Sequence, residues 1–243
     1  MANALAGRRI VITGAASGIG AATAELFFQE GAALALLDRP GAALDAMAAR
    51  LGATALPADV ADEAAVDAAM ATAEAALGGI DGLVNAAGIL RQGGIAGQTL
   101  AQWDEVLAVN LTGTMLVCRA ALPALHRAGG GTIVNFASIA GLRPMADNLA
   151  YAVSKAAVIQ LTKCIAMEQG PAIRANALCP GLVETPMTGV LPEAALERLA
   201  ASAIQHRLGK PAEIAQAVLY LTSAQSSFVH GTAMAVDGGW TYY

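Results

Sequence analysis

The chain has 243 residues, 56% of them hydrophobic and 14% charged, with a formal net charge of −5 and a pI near 5.1. That length allows one sizeable core, and no Pro-rich, Ser-rich or charged stretch divides it, so residues 1–243 read as a single domain. The acidic balance and scattered Lys and Arg argue against nucleic acid, and apolar runs such as Ala32–Leu37 fall far below the roughly 20 residues of a membrane span.

Short β-type runs alternate with Ala-rich segments of helical period, the pattern of a parallel sheet with helices on both faces. The first strand, Arg9–Thr13, enters the loop Gly14-Ala15-Ala16-Ser17-Gly18-Ile19-Gly20, and a helix follows over Gly18–Gln29. Glycines 14, 18 and 20 permit positive φ and close backbone approach, and the helix aims its N-terminus at any anion held there, so a pyrophosphate fits. A tight turn that only packs helix on sheet would use the same glycines, and context decides.

The second strand, Ala33–Leu37, ends at Asp38, about 20 residues on, where a carboxylate accepts hydrogen bonds from an adenosine ribose. Asp38 would repel a 2′-phosphate and so favours NAD over NADP, whereas Arg39 beside it would pair with one. A helix over Ala42–Leu51 leads to the third strand, Ala53–Pro57. Asp59 and Val60 come next, either against an adenine or, for Asp59, as the cap of a helix over Glu63–Ala76.

After the fourth strand, Gly82–Asn85, the segment Ile89–Thr99 fits neither helix nor strand, and one long helix is predicted over Leu100–His126. Asn110 sits inside that apolar helix, where its amide needs partners or water; a proton relay and a structural role both satisfy this. Ser138 follows the fifth strand, Gly131–Phe136, close enough to a strand end to bind a reacting oxygen, or to serve the turn.

The next helix, Ala150–Glu168, carries Tyr151 and Lys155 four residues apart, so both side chains leave one face. An ammonium beside a phenol would lower the Tyr pKa from about 10 and make Tyr151 a general base for alcohol oxidation, or the acid for carbonyl reduction. Many solvated helix faces carry the same pair. The chain continues through a sixth strand (Arg174–Leu178), an irregular segment Pro180–Pro192, helices Glu193–Ala203 and Ala212–Leu221, and a seventh strand, Thr232–Val236. Ligands of open α/β sheets bind beyond the carboxyl ends of the strands, which points to the loops near 89–99, 139–149 and 180–207 for the substrate.

Taken together, these motifs resemble the short-chain dehydrogenase/reductase family over nearly the whole chain. Thr13–Gly20 matches its TGxxxGIG cofactor loop, Asn110, Ser138, Tyr151 and Lys155 match its catalytic tetrad, and Pro180-Gly181 matches the turn beside the nicotinamide. The resemblance implies a doubly wound Rossmann fold with strand order 3-2-1-4-5-6-7, a nicotinamide dinucleotide and a homotetramer. It also implies that Lys155 binds the nicotinamide ribose, that Asn110 holds a relay water, and that Val183 and Thr185 contact the carboxamide. Cofactor contacts then extend over Gly14, Ser17, Gly18, Ile19, Gly20, Asp38, Arg39, Asp59, Val60, Asn85, Ala86, Gly88, Tyr151, Lys155, Pro180 and Gly181. The family's Asn-Asn-Ala-Gly motif stands here as Asn85-Ala86-Ala87-Gly88, and the Glu168–Arg174 connection is slightly short, for which a local loop change is expected.

The expected substrate wall is Leu90, Gln92, Ser138, Ile139, Leu142, Arg143, Met145, Asn148, Tyr151, Met187 and Leu191, mostly apolar and suited to a medium-sized secondary alcohol or ketone. Arg143 either clamps a carboxylate or sulfonate or is solvated. Three readings follow: an NAD-dependent alcohol dehydrogenase, an NADPH-dependent 3-oxoacyl thioester reductase, and a non-catalytic dinucleotide sensor. Met1–Arg9 carries no apolar signal core, which points to the cytoplasm. Cys118, Cys164 and Cys179 read as reduced core thiols, no metal site is expected, and His126, His206 and His230 are given no chemistry. Trp103, Trp240, Tyr242 and Tyr243 read as packing groups.

Overall fold

Seven short apolar runs become β1 (Arg9–Thr13), β2 (Ala33–Asp38), β3 (Thr54–Pro57), β4 (Gly82–Asn85), β5 (Gly131–Phe136), β6 (Ile173–Pro180) and β7 (Ala233–Val236). The computed structural model describes residues 3–242; Met1, Ala2 and Tyr243, and with them the start of the Met1–Arg9 segment and one packing tyrosine, lie outside the described residues. All strands run parallel in the order β3-β2-β1-β4-β5-β6-β7. Thr13 stands opposite Leu37 and Asn85, and Asn85 opposite Asn135, so the carboxyl ends of the central strands share one rim.

Side chains alternate across the sheet with period two, which builds two cores. Val11, Ala35, Leu37, Leu83 and Ile133 face one layer, with α3 (Glu63–Leu77) and α5 (Thr114–Arg127). Ile10, Ile12, Leu34, Leu36 and Val84 face the other, with α1 (Gly18–Gln29), α2 (Ala42–Leu51) and α8 (Pro211–Thr222). Helix α6 (Leu149–Gln169) lies along β6 on the first side. The doubly wound arrangement is the expected one.

The long predicted helix Leu100–His126 is instead three pieces: α4 (Leu100–Leu107), a π-helical segment (Ala108–Gly113) and α5. Val60 packs so closely that a Cβ on Gly113 would lie 2.8 Å from Val60 Cγ2, while the Thr114 hydroxyl donates to the Asn110 carbonyl at 2.8 Å. A π segment adds one residue to a turn and leaves the apolar run unbroken, so hydropathy does not reveal it. By length and composition alone, Leu100–Arg127 and Leu149–Gln169 are apolar enough to cross a membrane. Here their apolar faces pack in the layer beside the sheet, as core helices do.

Two side-chain readings also change. Cys118 and Cys179 are buried, but Cys164 is exposed on α6. His230, given no chemistry from the sequence, accepts the Ala175 N–H at Nδ1 (3.2 Å) and pairs through Nε2 with the Ala166 carbonyl (2.9 Å), tying β6 to the end of α6. We expect His230→Leu to strand a donor and an acceptor and to cost about 1–3 kcal/mol in a urea titration; an unchanged midpoint would deny the tie any role.

Candidate active site

At the rim, β1 passes into the glycine loop. Gly14 and Gly18 adopt φ of +65° and +54°, and a Cβ on Gly20 would stand 2.1 Å from the Gly14 carbonyl oxygen, so no larger residue fits there. Ser17 begins α1 in extended conformation without a side-chain capping bond, which leaves the first-turn N–H groups directed at an open space. That space is a cavity of about 1190 Å³ lined by Gly14, Ser17, Gly18, Ile19 and Gly20, and the arrangement can cradle an anion.

Asp38 lines the same cavity, its carboxylate fixed by the N–H groups of Ala16 at 2.9 Å and Arg39 at 2.8 Å. Arg39 is exposed on the same wall. Asp59 also lines the wall and accepts the Ala61 N–H at 2.9 Å, while the cap of α3 is Asp62, which accepts the Ala65 N–H at 3.1 Å. The capping alternative for Asp59 is therefore not realised. Val60, Ala86, Gly88, Pro180, Gly181, Val183 and Thr185 complete this half.

Asn85 does not reach the cavity. It shares strand parity with Leu83, so its side chain points into the α5 layer, where Nδ2 donates to Asn135 Oδ1 (2.9 Å) and lies 3.2 Å from Cys118 Sγ. Asn135 in turn donates to Thr162 on α6 at 3.0 Å. Asn85 belongs to a buried network that joins sheet and helices, and its expected cofactor contact is withdrawn.

Helix α6 starts where two loops meet. The Gly93 N–H donates to the Asp147 carbonyl at 2.8 Å, the Leu149 N–H to the Gly93 carbonyl at 3.1 Å, and Gln98 Oε1 accepts the Ala150 N–H at 2.9 Å. These bonds hold the first turn, and with it Tyr151, over the rim. Ser138 begins a short 3₁₀ turn (Ile139–Gly141), accepts the Ala140 N–H at 3.1 Å, and hydrogen-bonds the Tyr151 phenol. Gly141 lies against the backbone of Lys155 and Ala156, where its missing Cβ would stand 2.7 Å from the Lys155 carbonyl carbon, so turn and helix pack in contact.

Tyr151, Ser138 and Lys155 all line the cavity. Lys155 Nζ lies 5.6 Å from the centre of the Tyr151 ring and donates to the Phe136 carbonyl at 2.8 Å. The expected lowering of the Tyr151 pKa is not found: burial pushes the phenol above its usual value, and only the Ser138 hydrogen bond pulls it back. The cost of burying charge also falls on Lys155, whose ammonium drops to a pKa of about 8.

Asn110, fully buried in the π segment, accepts the Ile89 N–H at 2.8 Å and donates to the Ile89 carbonyl (3.0 Å) and to Ser154 Oγ (3.1 Å). Both amide hydrogens are committed. Its side chain therefore fixes the loop after β4 against α6 and has no hydrogen left for a relay water.

Leu90, Gln92, Ile139, Met145, Asn148, Met187 and Leu191 also line the cavity. Leu142 and Arg143 do not. Leu142 is exposed beyond the 3₁₀ turn, and Arg143 sits 5.4 Å over the Trp240 ring and donates to the Trp240 carbonyl at 3.2 Å. Neither the clamp nor the solvated reading of Arg143 survives; it braces Trp240. Trp240 itself lines the cavity, as do Arg198 and Ser202 from α7 (Glu193–Ala201) and the turn after it. Sequence reasoning missed all three, although Trp240 follows the carboxyl end of β7, on the same rim.

A family model described as enoyl-(acyl carrier protein) reductase matches residues 14–241. The chain is 42% identical to 2-(S)-hydroxypropyl-CoM dehydrogenase 3 of Xanthobacter autotrophicus, over 99% of each chain. It is 40% identical to a 3-oxoacyl-(acyl-carrier-protein) reductase of Thermotoga maritima, covering 97% of this chain and 98% of that one. The crystal structure of a short-chain dehydrogenase/reductase described as glucose/ribitol dehydrogenase, from Brucella melitensis, superposes with a TM-score of 0.94 at 37% identity over 99% of each chain. With the strand order, the glycine loop and the Ser138, Tyr151 and Lys155 wall in one cavity, these likenesses assign the chain: it belongs to the short-chain dehydrogenase/reductase family of oxidoreductases, which use a nicotinamide dinucleotide.

Proposed function

We propose that this protein is an NAD-dependent oxidoreductase (EC 1.1.1.-) that interconverts a secondary alcohol and a ketone, with Tyr151 as the general acid/base. The observation that carries this reading is the shared cavity: an anion cradle and the Asp38 carboxylate at one part, Tyr151, Ser138 and Lys155 at another. When bound, the nicotinamide dinucleotide supplies the hydride acceptor or donor. Gly14, Ser17, Gly18, Ile19 and Gly20 hold its phosphates, Asp38 its adenosine ribose, Asp59 and Val60 its adenine, and Lys155 its second ribose. Ala86, Gly88, Pro180, Gly181, Val183 and Thr185 flank the nicotinamide. In the oxidative direction Tyr151 Oη takes the proton of the substrate hydroxyl while Ser138 Oγ holds the same oxygen; in reduction the phenol returns the proton.

Asp38 supports NAD, because a carboxylate held at the end of β2 would accept the ribose hydroxyls and would repel a 2′-phosphate. NADH is expected to bind at least roughly tenfold tighter than NADPH in a fluorescence titration; equal or tighter NADPH binding overturns the NAD assignment. Arg39, exposed on the same wall, favours the second reading, reduction of 3-oxoacyl thioesters with NADPH. The name of the Xanthobacter relative denotes a dehydrogenase of a 2-hydroxypropyl compound, itself a secondary alcohol, which supports the first. Screening secondary alcohols for NADH formation tests the activity.

The same reading includes a cytoplasmic homotetramer. Met167 at 88% exposure, Phe228 and Leu100 leave apolar surface for neighbouring subunits. Light scattering at a monomer mass rejects that assembly.

A further inference from the structure

The cations lining the cavity differ in what they have left to bind. Arg91 is spent in a two-point ion pair with Glu105 (2.8 and 2.7 Å). Lys155 is buried against the Phe136 carbonyl, and Arg39 stands at the cofactor end beside Asp38, which accepts its backbone N–H. Arg198 is exposed, and among the described residues its guanidinium, like that of Arg39, has no hydrogen-bond or ion-pair partner; it differs in lining the cavity from α7, away from the phosphate cradle. Ala195, Arg198, Leu199 and Ser202 recur at helical spacing on that wall, so one face of α7 and its following turn looks inward.

The segment after β6 has two ends. Thr185 lies against Gly18, at the phosphate cradle. Farther on, Gln205 donates to the Gly238 carbonyl at 3.0 Å, and Ile204 packs on Gly239, beside Trp240. Trp240 is braced by Arg143 of the loop that runs into Tyr151. Arg198 is nearer the second end in sequence. The carboxylate on this side, Asp147, lies over Gly94 at the rim and makes no ion pair among the described residues.

We propose that the alcohol this enzyme oxidises carries an anionic group, a carboxylate, sulfonate or phosphate, and that Arg198 binds it. This rests on the alcohol dehydrogenase reading above and names its substrate class. A planar guanidinium without a partner meets two oxygens of such a group at once, and these charge-assisted bonds exceed what neutral contacts supply.

The test uses 3-hydroxybutanoate, 4-hydroxypentanoate and 5-hydroxyhexanoate, each with its methyl ester, the matching sulfonates and phosphate monoesters, and neutral secondary alcohols, all with NAD. At the chain length that spans from Tyr151 to Arg198, the anion is expected to exceed its ester in kcat/KM. Arg198→Met should lower kcat/KM for the anion by roughly 10- to 100-fold, leave the ester and the NADH dissociation constant unchanged, and be partly restored by Arg198→Lys. Retention of the anion preference in Arg198→Met overturns the proposal, and so does weakened NADH binding with that preference retained, which would make Arg198 a cofactor clamp. If only neutral alcohols react, the substrate class fails while the dehydrogenase reading stands. If no alcohol reacts, the dehydrogenase reading falls and this one with it.

Discussion

Replacing Tyr151 by Phe is expected to lower turnover roughly a thousandfold, within the range that a positioned proton-transfer group supplies, while NADH affinity stays within about twofold. The substitution keeps the ring that lies 5.6 Å from Lys155 Nζ and removes only the hydroxyl held by Ser138. Loss of rate with retained binding separates proton transfer from damage to the cavity. Turnover equal to the parent on any accepted alcohol would end the mechanism, and it would do so whichever cofactor is used. The pH dependence carries a second signature. Burial holds the phenol above its ordinary pKa, so at neutral pH the phenolate is the scarce form. Alcohol oxidation, which needs the phenolate, should therefore rise with pH through the neutral range, whereas carbonyl reduction, which needs the phenol, should not.

The parts of this molecule that the sequence displays are those governed by local rules. Strand runs of period two, the glycine loop and the Tyr-x-x-x-Lys spacing are each set within a few residues, and all seven strands start within one residue of expectation and end within two, β1, β4 and β5 without any difference. What stayed hidden depends on partners far along the chain. The π segment follows from Val60 meeting Gly113, and Arg143 leaves the substrate wall because Trp240, 97 residues on, offers it a ring and a carbonyl. Asn85 was misjudged for a different reason: its motif position suggested the rim, but strand parity with Leu83 was the better guide, and it was available from the sequence. Lys155 shows the limit of spacing. Four residues place it beneath Tyr151, yet its proton goes to Phe136, a carbonyl that only the packed sheet brings near.

That proton makes a measurable difference to folding. Lys155 is 4% exposed and has a pKa of about 8, against 10.5 in an ordinary environment, because burial disfavours its ammonium. Below about pH 8 the folded chain holds a charge that it would hold more easily unfolded. Between pH 8 and 10.5 the unfolded chain keeps a proton that the folded one has released, so stability contributed by this group rises with pH. A shift of this size corresponds to about 3 kcal/mol in full, of which about 2 kcal/mol should develop between roughly pH 7.5 and 9.5. Cys179, whose thiol burial holds up to about 11, and Tyr151, raised above its ordinary value of 10, pull the other way, because each ionises first in the unfolded chain; both are present in parent and variant and cancel in the difference. Lys155→Met removes the titration and keeps most of the stem. The stability of the parent relative to Lys155→Met, from urea unfolding without cofactor, should therefore climb by about 2 kcal/mol across that window. A difference that stays flat would mean that the lysine is solvated or paired in the free protein. A climb would mean that the unliganded fold bears the cost of a charged lysine in the catalytic wall, a cost that an anionic or electron-rich ligand beside Nζ would relieve.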